Sequence, residues 1–353
     1  MGNPADSPSI ALNRRKEGHI DACLDDAVDR AVDSFDGLKL RYNALPELSR
    51  ADVVTETTFA GRGIRAPIIV SAMTGGAGAR PLHINRNLAQ GAEVLGLPLG
   101  LGSMKVLLRD DGAAASFMVR DLAPSVPVIA NLGLVSFNYG LEWSDVARLI
   151  ETVRPDAFAF HLNALQESIQ LGGDTDFSGL KERLAELIER CPIPVYVKEC
   201  GGGISPELVH EIAAMGADYI DVSGNDGTSW ASVEARLGPD PEFGELFRDF
   251  GLPTRWILER TNPDQLGPTT LVAGGGIRNG VQAAKAIALG AGFVSIARPF
   301  LTAALESPDA VVAAGSGLID QLRTAMFLSG AGSIEALNRR LLIDVETSPN
   351  TIP

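Results

Sequence analysis

Eight short apolar runs punctuate the chain, at residues 67–71, 97–101, 126–130, 157–160, 194–197, 219–222, 270–273 and 292–296. Their length fits strands, and polar segments with helical spacing alternate with them at 85–95, 113–122, 143–153, 178–190, 206–215 and 279–289. Ser205 followed by Pro206 supplies a helix N-cap and a first-turn proline, while Gly216 and Gly290 stand where a helix stops in a left-handed residue. Strand then helix, repeated, favours right-handed crossovers and a parallel sheet, so the predicted fold is α/β, a (β/α)8 barrel. Ile20, Cys23, Leu24, Ala27, Val28 and Ala31 recur at helical intervals and predict a helix over 15–35, ahead of the barrel. Residues 1–13 lack periodicity and are expected to be a flexible tail. The sixth unit is interrupted by nearly fifty residues between Val222 and Thr270, an excursion expected near the mouth. Two closing helices are expected at 309–329 and 333–340.

Composition narrows the class. With 45% hydrophobic and 21% charged residues in 353, the chain is an ordinary globular protein with a sizeable core. Regular strand spacing favours a single domain over 14–353. Apolar stretches fall short of the roughly 18 to 20 residues of a membrane span, and the N-terminal segment carries no apolar secretion core, so the expected location is cytoplasmic. Cys23, Cys191 and Cys200 are odd in number and show no ligand spacing, which fits free thiols. A formal net charge of −14 argues against nucleic acid and means that an anionic small molecule would need a local basic cluster.

In a parallel barrel all strand carboxyl ends open on one face, so the residues after each run converge. Those endings are Met73-Thr74-Gly75-Gly76, Gly102-Ser103-Met104-Lys105, Asn131, His161-Leu162-Asn163, Lys198, Ser223-Gly224, Gly274-Gly275-Gly276-Ile277-Arg278 and Ala297-Arg298. The glycines at 274–276, with a helix start behind them and Ala297-Arg298 alongside, are expected to make a phosphate seat of backbone amides, the alternative being that they only permit a tight turn. Lys198 ends an apolar run, where an ammonium needs an anionic partner; it suits the N1/C2 edge of a flavin, or a salt bridge to Glu199 or another carboxylate. HLNALQE at 161–167 gathers groups able to bind an anion, hold a cation and move a proton. Arg14, Arg15, Lys16 and His19 could fold over the mouth as an anion clamp or remain a solvated charge run.

Taken in order, RKEGH (15–19), SAMTGG (71–76), GLGS (100–103), IANLG (129–133), HLN with QE (161–167), VKE and GIS (197–205), SG with GTSW (223–230) and GGGIRNG (274–280) resemble the flavin-dependent, type 2 isopentenyl diphosphate isomerases over nearly the whole chain. The resemblance implies FMN, Mg²⁺ and a small prenyl diphosphate substrate, with activity confined to the reduced flavin and NADPH as the usual reductant. By motif position Met73, Thr74, Gly75, Ser103, Asn131, Lys198, Ser223, Thr228, Gly275, Gly276, Arg278, Ala297 and Arg298 would hold FMN. Arg15, Lys16, Ser103, Lys105 and Gln166 would bind substrate, His161, Asn163 and Gln166 would form the catalytic group, and Glu167 would hold the metal. The resemblance further implies a homo-oligomer, a tetramer or larger.

Three positions depart from that family. Met104 and Lys105 stand where relatives read glutamine and arginine, and Asp226 stands in the sixth loop where they carry a glycine pair. Asp226 is expected to point to the mouth, which leaves open an altered prenyl diphosphate substrate or reaction. An FMN-dependent oxidoreductase of hydroxy acids shares the barrel, but SGNDGTSW offers neither the histidine base nor the arginines of that chemistry. A dehydrogenase with a cysteine nucleophile would need a thiol at a suitable strand end, and a flavin-bound protein without catalysis would not need the intact 161–167 cluster.

Overall fold

The computed structural model describes residues 8–30 and 32–345. Its centre is a closed, all-parallel barrel of β1 (Ile68–Val70), β2 (Leu99–Gly100), β3 (Val128–Gly133), β4 (Ala157–Leu162), β5 (Val195–Glu199), β6 (Tyr219–Asp221), β7 (Thr270–Ala273) and β8 (Phe293–Ile296). β8 returns to β1 through Val294 beside Ile68 and Ile296 beside Val70, so no edge remains. Every strand coincides with one of the eight apolar runs.

Alternation along the strands divides the residues between two environments. One set faces the surrounding helices; the other points inward and forms layers, as barrel interiors require. Lowest lie Ala157, Tyr219 and Phe293, with Ile69, Ile129, Ala159, Tyr196 and Val272 in the same interior cluster. One step further toward the carboxyl ends the character turns polar, with Ser71 two residues beyond Ile69, Asn131 beyond Ile129, His161 beyond Ala159 and Lys198 beyond Tyr196.

A hairpin of residues 57–59 and 62–64 precedes β1 and seals the amino end. Its two-residue turn uses left-handed Ala60 and Gly61, the twist that suits a tight hairpin. The Phe59 ring stacks on Tyr219 at 4.3 Å and meets Phe293 edge-on at 5.3 Å. The Ala60 N–H donates to Tyr219 Oη at 2.9 Å, fixing the plug from above. At the periphery, residues 38–40 pair antiparallel with 342–344, joining the two ends of the described chain.

Helices form where expected at Trp143–Val153, Leu180–Arg190, Pro206–Ala214 and Gly280–Ala288, and Gly216 and Gly290 are left-handed as their positions suggested. Five expectations need correction. The N-terminal helix runs Pro8–Leu24 rather than 15–35: Asp25 accepts from Ala27 N and starts a 3-10 turn, and Asp29 is drawn into ion pairs with Arg278 and Arg298. Of the tail expected over 1–13, residues 1–7 lie outside the described residues, as does Ala31, and helix begins at Pro8. The segment expected as a helix at 113–122 is a 3-10 turn, Asp111–Ser116, which Asp110 caps by accepting from Gly112 N. The closing pair is Arg298–Glu306 with Pro308–Ser329, since 333–340 makes only two 3-10 turns around Leu337. The helix before β2 starts early, at Ala79, because Pro81 fits its first turn.

The plug predicts that Phe59→Ala, by emptying an aromatic site with no solvent exposure, costs about 3–5 kcal/mol. Urea unfolding of the variant against the parent protein measures that loss.

Candidate active site

The carboxyl ends of the strands open into a cavity of about 610 Å³. Its wall includes Arg15, Lys16, Met73, Thr74, Ser103, Lys105, Asn131, His161, Asn163, Gln166, Glu167, Lys198, Ser223, Thr228, Gly275, Gly276, Arg278, Ala297 and Arg298. Residues from all eight strand ends and from the N-terminal helix are thus brought together. Gly75 alone among the expected residues is not on that wall: it lets the chain pass Phe117, whose ring would lie 2.2 Å from any added Cβ.

One end of the cavity is built for an anion. Gly275 and Gly276 have φ of +84° and +77°, and an added Cβ would strike the backbone of Gly224 or Asp226, so both turn geometry and close approach require glycine. Behind them helix Gly280–Ala288 begins, and beside them helix Arg298–Glu306 begins at Arg298 itself. The Gly280 and Gln282 amides are taken by Gln321 and Asn279, so the helix start that borders the cavity is the one at Arg298. The two guanidinium groups are held by protein carboxylates: Arg278 Nη2 lies 2.5 Å from Asp29 Oδ1, and Arg298 Nη1 lies 3.0 Å from Asp29 Oδ2. Asp29 thereby fastens the N-terminal segment across this end, and its role was not legible in a run of aspartates.

Lys198 crosses the middle of the cavity. Its Nζ donates to the Glu199 carbonyl at 2.7 Å, while the Glu199 carboxylate accepts from the amides of Gly201, Gly202 and Gly203. The salt bridge to Glu199 considered from the sequence is therefore absent. Cys200 lies 3.7 Å from the same Nζ, and burial pushes its thiol up to about 11 despite that cation. Burial likewise pushes Cys23 up to about 12. Neither thiol is ionised near neutrality, which disfavours a cysteine nucleophile. All three cysteines are free.

The opposite end holds the 161–167 cluster. His161 Nδ1 donates to Asn131 Oδ1 at 2.8 Å, leaving Nε2 as the acceptor nitrogen. His161 lies deep in the molecule among cations; burial first, then Lys198, Lys16 and Lys105, lowers it to about 3. Asn163 caps the helix Ala164–Ile169 and its Nδ2 donates to Glu167 Oε1 at 2.8 Å and to Gln166 Oε1 at 3.3 Å. Glu167 Oε2 accepts from Gln170 Nε2 and Asp174 N. Gln166 Nε2 donates at 2.8 Å to Glu234 Oε1, and His19 Nε2 lies 2.9 Å from the same oxygen without hydrogen-bond alignment. Glu234 was missed in the sequence. It sits in helix Trp230–Leu237 of the sixth-unit excursion, and the available signal was a carboxylate among Ala231, Val233 and Ala235, all buried.

Cations ring the mouth. Lys16 Nζ donates to Ser103 O at 3.2 Å; burial, with Arg15 beside it, lowers its ammonium to about 8. Lys105 pairs with Asp174 at 2.5 Å, and Arg109, another residue the sequence did not disclose, joins the wall. Two buried polar atoms here lack any protein partner, Arg15 Nε and Asn163 Oδ1. A donor and an acceptor left bare in a concave, cationic site are what a bound anion and its metal would satisfy.

Asp226 corrects an expectation. Its side chain is buried behind the wall rather than aimed at the mouth, and Oδ2 accepts from Thr254 N at 2.7 Å, the first residue of helix Thr254–Arg260. A carboxylate at a helix start is stabilised by four free amides and the helix dipole, which outweighs exposure at the rim. Met104 is likewise fully buried in the core.

The sequence of this chain is 40% identical to an isopentenyl-diphosphate delta-isomerase of Paracoccus zeaxanthinifaciens, covering 94% of this chain and 97% of that protein. The chain belongs to the isopentenyl-diphosphate delta-isomerase family. A second member, from Mycolicibacterium gilvum, is 41% identical over 94% of this chain and 97% of its own length. The FMN-dependent dehydrogenase family pattern matches residues 171–344, the part that contains Lys198, the sixth loop and the glycine seat. Among solved structures, a flavocytochrome b2 variant with benzoylformate superposes with a TM-score of 0.72 at 20% identity, covering 96% of this chain and 85% of that one. A mandelate oxidase gives 0.63 at 18% identity over 94% and 97%. At that identity these last two establish the shared barrel alone.

Two outcomes follow from the isomerase-family site as built. Asp226→Gly leaves the Thr254 amide without its carboxylate and should lower stability by about 1–3 kcal/mol, read by urea unfolding, with substrate preference unchanged. His161 is neutral when folded down to about pH 3. Between that value and the ordinary value near 6.5 the unfolded chain binds a proton that the folded chain does not, so stability falls as pH drops through this window. His161→Asn should flatten the stability slope between pH 6.5 and 4, measured by chemical denaturation at each pH.

Proposed function

We propose that the chain interconverts isopentenyl and dimethylallyl diphosphate on reduced FMN, with Mg²⁺ beside the diphosphate and NADPH as the source of reduction. The observation that carries the substrate half of this reading is the pair of bare polar atoms, Arg15 Nε and Asn163 Oδ1, within a ring of cations on a chain of net charge −14. Neighbouring charges of that density are costly without an anion to collect.

The residues present suit the flavin. The amides around Gly275, Gly276, Ala297 and Arg298 would take its phosphate, and Lys198, with Met73, Thr74, Ser103, Asn131, Ser223 and Thr228, would hold the ring and ribityl chain. Gly75 supports that wall from behind. The chemistry that a reduced flavin would supply there is a proton source and a proton acceptor for the alkene carbons, without net redox change.

The diphosphate would meet Arg15, Lys16, Ser103 and Lys105. Lys105, now paired with Asp174, carries the charge that an arginine provides in relatives, without the bidentate fork. Glu167 fits Mg²⁺ in the mode of one carboxylate completed by phosphate oxygens and water, and Asn163 Oδ1 adds a neutral oxygen. Among the described residues no group of three or more His, Cys, Asp or Glu forms a metal cage, so the substrate must itself complete the site. Neutral His161 offers its Nε2 lone pair, and its ring is held by Asn131. Gln166, oriented by Asn163 and Glu234, presents its amide to the reacting carbons. An isolated alkene is a very weak base, so the reaction calls for a well-positioned acid in a water-poor site.

No helix among the described residues is long and apolar enough to cross a membrane. A cytoplasmic location and a homo-oligomer of four or more chains complete the proposal. Asp226, buried away from the cavity, gives no support to a changed reaction.

The test is incubation of purified protein with FMN, NADPH, Mg²⁺ and isopentenyl diphosphate, with dimethylallyl diphosphate as the expected product. Substoichiometric NADPH should support many turnovers, and oxidised protein should be inactive. Glu167→Gln should retain FMN and need more Mg²⁺. Stoichiometric NADPH consumption would instead indicate a reductase, and absence of FMN binding would remove the reading altogether.

A further inference from the structure

Beneath the candidate flavin seat lies a carboxylate with no solvent exposure, Asp221 at the end of β6. Its Oδ2 accepts from Tyr196 Oη at 2.9 Å, and its Oδ1 accepts from Ser223 N at 3.1 Å and Ser223 Oγ at 2.8 Å. Burying a carboxylate is costly unless hydrogen bonds and an opposite charge compensate it. The hydrogen bonds are present, and the ladder shows where the charge is: Asp221 is the register partner of Lys198 on β5. Adjacent residues on neighbouring parallel strands project to the same side, here into the barrel.

Lys198 has the complementary problem. Below it is a void of about 10 Å³, lined in part by Ser71, Asn131, Tyr196 and Ser295, with room for about one water molecule. Bulk solvent therefore cannot stabilise the ammonium from beneath. The Glu199 carboxylate is engaged by three backbone amides, and His161 and Cys200 are neutral. Burial lowers the Lys198 ammonium, while the neighbouring Cys200 first, then Asp221 and Glu199, more than offset it. Lys16 and Lys105, toward the mouth, add only positive charge.

Ser223 gives the second half of the argument. Its φ is +28°, a left-handed value unusual for a residue with a side chain. Its amide and hydroxyl are both held by Asp221, and the close passage of Gly274, where an added Cβ would lie 2.3 Å from Ser223 Oγ, locks it against β7. Strain of this kind persists only where the surroundings over-determine it.

We propose that Asp221 is a positioning residue of the flavin seat: it holds Ser223 in place from below and supplies the buried negative charge that balances Lys198. This rests on FMN binding as proposed above. Removing Asp221's charge leaves Lys198 unbalanced next to the ring, which favours the electron-rich reduced state; removing Lys198 does the opposite.

The experiment is a double-mutant cycle of Asp221→Asn, Lys198→Met and the double variant, read by redox titration of bound FMN and by melting of the FMN-free protein. Asp221→Asn should raise the reduced-to-oxidised ratio at fixed potential at least tenfold, about 30 mV for a two-electron couple. Lys198→Met should lower it, and the double variant should return close to the parent. Melting should show the same compensation, with the double variant more stable than the sum of the single losses. If Asp221→Asn does not fold, Lys198→Met should rescue it, because the uncompensated buried charge is gone. Additive melting losses, a failed rescue or a reduced-to-oxidised ratio raised less than tenfold by Asp221→Asn would overturn the proposal. Failure of the parent protein to bind FMN would instead defeat the functional reading, and the cycle in FMN-free protein would still decide whether the two charges are coupled.

Discussion

Closing a parallel sheet on itself forces every second side chain into a space with no exit but its two ends, and the rest of this molecule follows from how that space is filled. At the amino end, apolar side chains and the Phe59 plug fill it completely. At the carboxyl end the same alternation brings forward Ser71, Asn131, His161, Lys198 and Ser223, polar groups in surroundings of low dielectric. There each must find a partner or await one, because an unmatched polar group in such a place is expensive. Asn131 with His161, Asp221 with Tyr196 and Ser223, and Glu234 with Gln166 are the matched ones.

Charge is managed by the same rule at the mouth. Arg278 and Arg298 are tied to Asp29, Lys105 to Asp174, and Lys16 to a backbone oxygen. The cations are thus held at fixed positions by an otherwise acidic chain instead of repelling one another. Arg15 and Asn163 keep bare atoms in that frame. The site is preorganised for a ligand with several negative oxygens, which lowers the entropic cost of binding it.

The barrel was legible because each strand is a compact apolar run and strand ends converge by geometry alone; the wall therefore contains every site residue assigned by motif position except Gly75. Helices with a clear cap or a glycine stop, such as Pro206–Ala214, were also legible. Segments whose course is set by distant partners were not. The helix expected to reach residue 35 ends at Leu24 because the following aspartates answer to arginines more than 200 residues away. Asp226 was misplaced for the same reason: its partner is the amide of Thr254, and a backbone donor leaves no mark in a side-chain pattern. Glu234 and Asp221 were hidden among apolar neighbours, where an acidic residue reads as an isolated exception until the fold supplies its partners. The 57–64 hairpin escaped notice because its Ala60-Gly61 turn lacks the Asn-Gly or Asp-Gly signature.

The sealed floor also dictates the direction of traffic. With Phe59 closing the amino end, the cavity exchanges its contents only through the mouth that Arg15, Lys16 and the Asp29 segment border. A ligand against Lys198 and one at the Gln166 end therefore share a single route in and out. A barrel plugged at one end thus makes any two ligands of its cavity neighbours at one doorway, so the passage of each depends on the space the other leaves.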